Sequence, residues 1–332
     1  MSHEMERRIF LGSALSAAAA PAGIAGKIRV GMLGTKHGHY SGKLKAVQTS
    51  PDYEYVATVE FDQADKVLND ASIHVIVVEC AAWEAIPWGK KVVAAGKHLH
   101  LEKPPGNEWA PFKELVEEAR RKKLLLQTGY LWRFHQGVTA AIDAAKSGWL
   151  GDILMVRATM SADRDDAQRA VEAKYKGGGL FELGGHVIDR TVELLGRPKS
   201  VKSWLKHSTN VPDKLADNNL AVFEYDKALA VITQAAKMAG AGDHRSFEVI
   251  GTDGTFLVYP ESNPPRMHVH LRKAQGKYKA GWQQIELPPQ PRFIADFAEL
   301  ARALKSGQPL KHSYDHELLL HETLLRASGE IA

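Results

Sequence analysis

Three residues have the types and the spacing for acid–base chemistry on an alcohol. Lys103 follows an apolar, strand-like run at 97–101, and Glu182 and His186 stand four positions apart in a helix-like segment. Residues at i and i+4 share one face of a helix. A fixed ammonium beside an imidazole that a carboxylate orients can take the proton of a hydroxyl while hydride leaves its carbon. We therefore predict Lys103, Glu182 and His186 as catalytic, with His186 as the base and Glu182 orienting it.

A glycine-containing turn after the first apolar strand is the candidate phosphate-binding loop. A dinucleotide loop needs glycines for its tight turn, for close approach to the pyrophosphate and for helix packing. Gly34 can form the turn, but Lys36 and His39 stand where the other two glycines usually fall. Either Gly38 substitutes after a local shift, or the phosphate site is altered and Lys36 contacts phosphate through its charge. The cofactor-binding residues predicted in this loop are Gly34, Thr35, Lys36, His37 and Gly38.

Two further acids are predicted at the cofactor. Glu60 follows the strand-like run at 54–59, where a carboxylate would accept hydrogen bonds from the adenosine ribose hydroxyls. The same carboxylate would repel a 2′-phosphate, so NAD is expected rather than NADP. The alternative is a solvated acid at a strand end. Glu102 and Lys103 complete the predicted cofactor site.

The chain resembles the glucose–fructose oxidoreductase/inositol dehydrogenase (Gfo/Idh/MocA) family in three segments, at 102–104, 129–135 and 177–189. The resemblance covers roughly residue 27 to the C-terminus. It implies hydride transfer between nicotinamide and a secondary alcohol of a sugar, polyol or cyclitol, with Lys103 holding the substrate hydroxyl. It also implies a homo-oligomer. The candidate substrate residues are Tyr130, Arg133 and Asp189, of which Asp189 is expected to pair or cap rather than react.

The sequence departs from the family pattern at several points. Glu182 stands where aspartate is usual, and 79–81 replaces a Thr-Pro pair. Only ten residues separate Asp62 from Ile73, where the family fits a further helix and a short strand. Two other interpretations therefore stay open. One is an exported glycosidase that uses bound NAD for transient oxidation, and the other is a non-catalytic sugar- or nucleotide-binding protein.

The order of apolar runs and turn signals predicts two domains. Strands alternate with helices up to residue 128, which indicates an α/β fold with a Rossmann-type parallel sheet. Beyond 148–151, strand-like runs follow one another with few helices, and Asp253-Gly254 marks a hairpin. We predict an NAD-binding domain at 26–135 and an α+β substrate and oligomerisation domain at 136–332, with a large, mostly antiparallel sheet.

Composition excludes several classes of protein and site. The chain has 332 residues, of which 44% are hydrophobic and 25% charged, as in a soluble globular protein. The net charge of +4 comes without a basic stripe, so nucleic acid is not an expected partner. The single cysteine, Cys80, excludes an internal disulfide framework and any multi-cysteine metal site. His98 and His100 alternate on a strand without further ligand-spaced partners, so no metal is predicted.

The first 25 residues resemble a twin-arginine export signal. Arg7 and Arg8 precede an apolar, alanine-rich stretch that ends in small residues. The stretch is too short and too rich in alanine for a stable membrane span. We expect a periplasmic or otherwise exported protein with no membrane contact after signal removal. If the segment is instead an amphipathic or disordered tail, the protein is cytoplasmic.

Overall fold

The computed structural model describes residues 23–332. The predicted export signal lies outside the described residues except for its last three positions. Within the described part, no helix combines the length and the apolar character that a membrane crossing requires.

The first domain is built on a five-stranded parallel sheet in the order β2-β1-β3-β4-β5. Its strands are β1 (Ile28–Leu33), β2 (Tyr53–Val59), β3 (Val75–Val78), β4 (His98–Leu101) and β5 (Leu126–Thr128). The helices between them are α1 (Tyr40–Thr49), the one-turn α2 (Asp65–Leu68), α3 (Ala82–Ala94) and α4 (Trp109–Arg121). The strand order reverses between β1 and β3, so a crevice opens at the carboxyl ends of these strands.

Both faces of this sheet are covered, which explains why the central strand β3 is apolar throughout. All four residues of β3 are buried. Ile76 and Val78 point into a cluster that includes Phe112 of α4, whereas Val75 and Val77 point into a cluster on the opposite face. Successive strand residues alternate between faces, so every position of β3 is buried on one face or the other.

The second domain contains an eight-stranded sheet in the order β13-β12-β11-β10-β6-β9-β8-β7. Its strands are β6 (Ile153–Thr159), β7 (Ser200–Lys206), β8 (Asn218–Glu224), β9 (Leu229–Ala235), β10 (Ser246–Gly251), β11 (Gly254–Tyr259), β12 (Arg266–Leu271) and β13 (Gly281–Glu286). The remaining helices are α5 (Gln136–Lys146), α6 (Asp166–Glu172), α7 (Gly179–Leu195), α8 (Ala241–His244), α9 (Ile294–Ser306) and α10 (Tyr314–Ala327). Among the described strands of this second sheet, β6 and β9 alone pair in parallel, and the other neighbours are antiparallel. The predicted fold class is confirmed, and the Asp253-Gly254 signal lies at the hairpin between β10 and β11.

Helix α9 packs on the first domain, although the predicted boundary assigns all of residues 136–332 to the second domain. Phe297 and Leu300 of α9 share one buried cluster with Val30 and Val75 of the parallel sheet. Helix α9 therefore covers the face that α1 alone leaves open. Helix α10 packs between α4 and α7 and connects the two domains.

Candidate active site

The loops after β1, β3 and β4 meet at the crevice where the strand order reverses. Two cavities open there, of about 470 Å³ and about 540 Å³. The smaller one extends along the carboxyl ends of the strands to Glu60, and the larger one faces the second domain and reaches His186. Lys36, His37, Gly38, Lys103 and Glu182 line both. The fold therefore collects most of the predicted site residues around one divided cleft.

Lys103 is held by Glu182. Its side chain is almost buried, and Nζ donates to Glu182 Oε1 at 2.9 Å and to the Glu182 carbonyl oxygen at 3.0 Å. Glu182 was expected to orient His186, but its carboxylate pairs with Lys103 instead. A buried ammonium requires a nearby counter-charge. A lysine ammonium carries three donors, so one N–H of Lys103 remains for a substrate oxygen.

His186 lines the larger cavity as a neutral imidazole. Burial, together with the charge of Lys103, holds its pKa well below the usual value, so the ring is unprotonated near pH 7. Its ring lies edge-on to that of Tyr130, with 5.6 Å between centroids. Nδ1 is buried and has no hydrogen-bond partner among residues 23–332. The protonation state suits a proton acceptor, while aromatic packing rather than a carboxylate sets the ring orientation.

A glycine in α7 permits this packing. A Cβ on Gly185 would lie 2.4 Å from a carbon of the Tyr130 ring. Tyr130 was predicted to contact substrate, but its side chain is buried and its hydroxyl lies in the interior. The residue therefore supports His186 from behind.

Arg133 and Asp189 belong to a buried ion-pair network rather than to the cavity wall. The Arg133 guanidinium donates to Asp189 Oδ1 at 2.8 Å and to Glu317 Oε2 at 2.9 Å. Arg133 holds the pKa of Asp189 well below its usual range against the opposing effect of burial. These contacts join the domain linker to α7 and α10, which gives both residues a structural role in place of the predicted substrate contact.

The turn after β1 has the geometry expected of a dinucleotide loop only in part. Gly34 has φ +83°, and a Cβ there would lie 2.4 Å from the carbonyl oxygen of Glu79, so glycine is required. Nothing lies within 4 Å of a Cβ built on Gly38, so that glycine is not imposed by packing. Thr35 Oγ1 donates to Glu60, which fixes the carboxylate at the end of β2.

The start of α1 can accept an anion. Its N-cap residue, His39, makes no capping hydrogen bond through its side chain, and the first turn contains no acid. The positive end of the helix dipole is therefore available to phosphate, and Lys36 stands beside it. Glu60 lines the same cavity as Lys36, so the residues present fit a dinucleotide.

Beneath the loop lies a buried charge cluster. Lys43 of α1 has no exposed surface, and its Nζ donates to Glu79 Oε1 at 2.6 Å and to Glu102 Oε2. Burial opposes ionisation of Glu102, but Lys43 and His39 outweigh it and keep the pKa of Glu102 well below normal. Glu102 was predicted to bind cofactor, whereas its carboxylate is 1% exposed and supports the loop from below.

The structure also brings together residues that the sequence analysis did not combine. His39 Nδ1 lies 3.0 Å from Glu102 Oε1, and His37 Nδ1 lies 3.7 Å from Glu102 Oε2. The signal available in the sequence was topological, because a loop after β1 and the end of β4 converge at the crevice. Three arginines that follow β6 in the chain also face the larger cavity, namely Arg164, Arg245 and Arg292.

Comparison with known proteins agrees with this architecture. Residues 28–130 match the family model described as an oxidoreductase family with an NAD-binding Rossmann fold. Residues 138–257 match the model of the GFO/IDH/MocA C-terminal domain.

Individual relatives are distant. An uncharacterized oxidoreductase of Escherichia coli (strain K12) is 28% identical over 65% of this chain and 61% of its own length. The NADP(+) scyllo-inositol 2-dehydrogenase of Bacillus subtilis (strain 168) is 24% identical over 63% of this chain and 57% of its own. The chain thus spans about 60% of the length of these curated relatives. The structure of aldose-aldose oxidoreductase from Caulobacter crescentus, complexed with glycerol, superposes with a TM-score of 0.77 at 19% identity, covering 92% of this chain and 98% of that one.

Proposed function

Because the chain belongs to the Gfo/Idh/MocA family of NAD-binding oxidoreductases, we propose that it oxidises or reduces a secondary alcohol of a sugar, polyol or cyclitol. The observation that carries this proposal is that Lys103 and His186 line the same cavity, at the carboxyl ends of the parallel strands. That position is where ligands bind in open α/β sheets.

The smaller cavity offers the contacts that a dinucleotide needs. The first turn of α1 and Lys36 would hold the pyrophosphate, and Glu60 would accept hydrogen bonds from the adenosine ribose. A carboxylate at this point disfavours a 2′-phosphate, which supports NAD over NADP. When bound, the nicotinamide supplies the carbon that exchanges hydride with the substrate.

His186 and Lys103 both act on the oxygen of the reacting hydroxyl. The neutral imidazole of His186 accepts the proton of the reacting hydroxyl. The free N–H of Lys103 donates to the same oxygen and stabilises the negative charge that develops there. Glu182 is a positioning residue, because its two contacts with Lys103 fix where that third N–H points.

The lining of the larger cavity suits a ligand rich in hydroxyl groups. Arg164, Gln168 and Arg245 supply donors, and Glu172 and Glu261 supply acceptors. Polar side chains on several sides of a cavity can hydrogen-bond successive hydroxyls of a sugar or an inositol. The chain is similar in sequence to a scyllo-inositol 2-dehydrogenase and in fold to an aldose-aldose oxidoreductase, which supports a substrate of this class.

Steady-state kinetics on a panel of sugars, inositols and other polyols tests the proposal. His186→Ala and Lys103→Ala should each lower kcat by roughly 10²–10⁴-fold, which is the usual contribution of a positioned acid–base group. The Kd for NAD should stay close to that of wild type, because neither side chain is assigned to the pyrophosphate. His244→Ala, a histidine on the exposed side of α8, serves as the control.

The products decide between the proposal and its alternatives. Net reduction of NAD identifies a dehydrogenase, and cleaved glycoside without net NADH identifies a redox-neutral glycosidase. Binding of both NAD and sugar without any product on the whole panel would instead identify a binding protein.

A further inference from the structure

Two imidazoles of the loop after β1 converge on a carboxylate that lies beneath this loop. One ligand atom from each of His37, His39 and Glu102 can be chosen so that all three lie within 4.8 Å of one another. Glu102 Oε1 lies 3.0 Å from His39 Nδ1, and Glu102 Oε2 lies 3.7 Å from His37 Nδ1. Tetrahedral ligands at zinc bond lengths of 2.0–2.1 Å lie about 3.4 Å apart, so small side-chain movements would close this set around an ion.

Glu79 provides an independent observation at the same point. Its Oε2 is buried and has no hydrogen-bond partner within the described part of the chain. The same oxygen lies 3.5 Å from His37 Nδ1. A buried carboxylate oxygen without a partner is costly and calls for an explanation. A cation between Glu79 and the two histidines would satisfy it.

The charges of the cluster favour a divalent cation. Lys43 donates to both carboxylates, and the two carboxylates with this one ammonium leave one net negative charge. Lys43 contacts Glu79 Oε1 and Glu102 Oε2, so Glu79 Oε2 and Glu102 Oε1 remain to face the imidazoles. A set of two imidazoles and two carboxylate oxygens is typical of zinc and related first-row ions.

We propose that His37, His39, Glu102 and Glu79 bind a divalent transition-metal ion of the zinc type. From the sequence we expected no metal, because His98 and His100 lack a third ligand. His37 and His39 have the same spacing, and the fold adds the carboxylates from the ends of β3 and β4. An ion here fixes the loop at 36–39, which forms part of the wall of both cavities.

The test is metal binding by untagged full-length protein after chelator treatment and dialysis, without nucleotide or substrate. Calorimetric titration with Zn²⁺ and optical titration with Co²⁺ should each give one ion per chain. His37→Ala and His39→Ala should each weaken zinc binding at least ~10-fold. Loss of an outer-shell partner alone weakens metal affinity about 10–100-fold, and loss of a direct ligand should weaken it more. The double variant His268→Ala/His270→Ala removes a pair with the same spacing on β12 and should bind as wild type does.

Two measurements keep the outcome interpretable. In chelator, each loop variant should unfold in a single cooperative thermal transition, which shows that the variant folds. X-ray absorption of the wild-type zinc complex should show two imidazoles in the first coordination shell. Binding that survives both loop substitutions, binding that is lost only in the β12 variant, or a shell without imidazole would overturn the proposal. Because no turnover is measured, failure of the proposed enzymatic activity leaves this result unaffected.

Discussion

The ammonium of Lys43 allows a quantitative test of what holds the loop in place. The side chain is fully buried and lies between two carboxylates that are themselves at most 1% exposed. Lys43→Met keeps the length of the side chain but leaves Glu79 and Glu102 without their cation. Removal of one partner from a buried ion pair costs about 3–5 kcal/mol, because the remaining charge is neither solvated nor paired. We expect a loss of this size in the free energy of unfolding.

An exposed pair provides the matched control. Lys90 Nζ lies 2.7 Å from Glu114 Oε2, but the two side chains are 43% and 68% exposed. An ion pair in such a position contributes ~0.2–1 kcal/mol. Lys90→Met should therefore destabilise the protein several-fold less than Lys43→Met, although the distances in the two pairs are nearly equal.

The assay is urea unfolding at pH 7 and 0.15 M salt, followed by tryptophan fluorescence and circular dichroism. The double variant Lys43→Met/Glu102→Gln should lose less stability than Lys43→Met alone, because one of the two uncompensated carboxylates is removed with the cation. A loss for Lys43→Met no larger than that for Lys90→Met would refute the argument, since burial would then add nothing to the pair.

Three further outcomes are expected. Calorimetric titration should show tighter binding of NAD than of NADP, and Glu60→Ala should narrow that preference more than it weakens NAD binding; equal affinities in wild type would remove Glu60 from the ribose site. We propose export on the basis of residues 1–25, so their fusion to a reporter that works only when exported folded should give signal, and Arg7→Lys with Arg8→Lys should abolish it; retention of the intact fusion in the cytoplasm would contradict this. Burial lowers the pKa of His321 to about 3. Below pH 6.5 the unfolded chain therefore binds a proton at this residue that the folded chain does not bind, and the free energy of unfolding decreases as the pH is lowered. Between pH 7 and pH 5 this residue should account for roughly 2 kcal/mol of lost stability, which His321→Leu should recover in urea unfolding; an unchanged pH slope in the variant would count against the assignment.

The elements that the sequence predicts well are those with a uniform environment. The run at 75–78 is apolar throughout, and it becomes β3 because both faces of the parallel sheet are covered. β12 and β13 were not predicted. Their polar residues alternate with apolar or half-buried ones, and each is a strand because it pairs with the strand that precedes it in the chain, β12 with β11 and β13 with β12.

The site shows the same limit at the level of single side chains. Lys103 and His186 both line the larger cavity, and their catalytic roles stay a prediction. The partner of Glu182 was not predictable from its spacing on α7, because the competing cation arrives from β4, 79 positions away. From the sequence, Lys43 is likewise expected on the exposed face of an amphipathic helix. In the structure α1 packs over two strand ends, and this packing buries Lys43. Spacing gives which residues share a face, whereas the choice of partner depends on the three-dimensional arrangement of several loops.

The central claim is that this chain moves hydride between a secondary alcohol and nicotinamide, with His186 as the base. The most direct measurement is isotopic: purified protein is incubated with NAD and a panel of carbon-deuterated sugars and inositols, and the dinucleotide is recovered and weighed by mass spectrometry. We expect deuterium in the nicotinamide ring with wild type, and at least ~100-fold slower incorporation with His186→Ala. Dinucleotide that stays bound but acquires no deuterium from any member of the panel, or equal incorporation by His186→Ala, would contradict the claim.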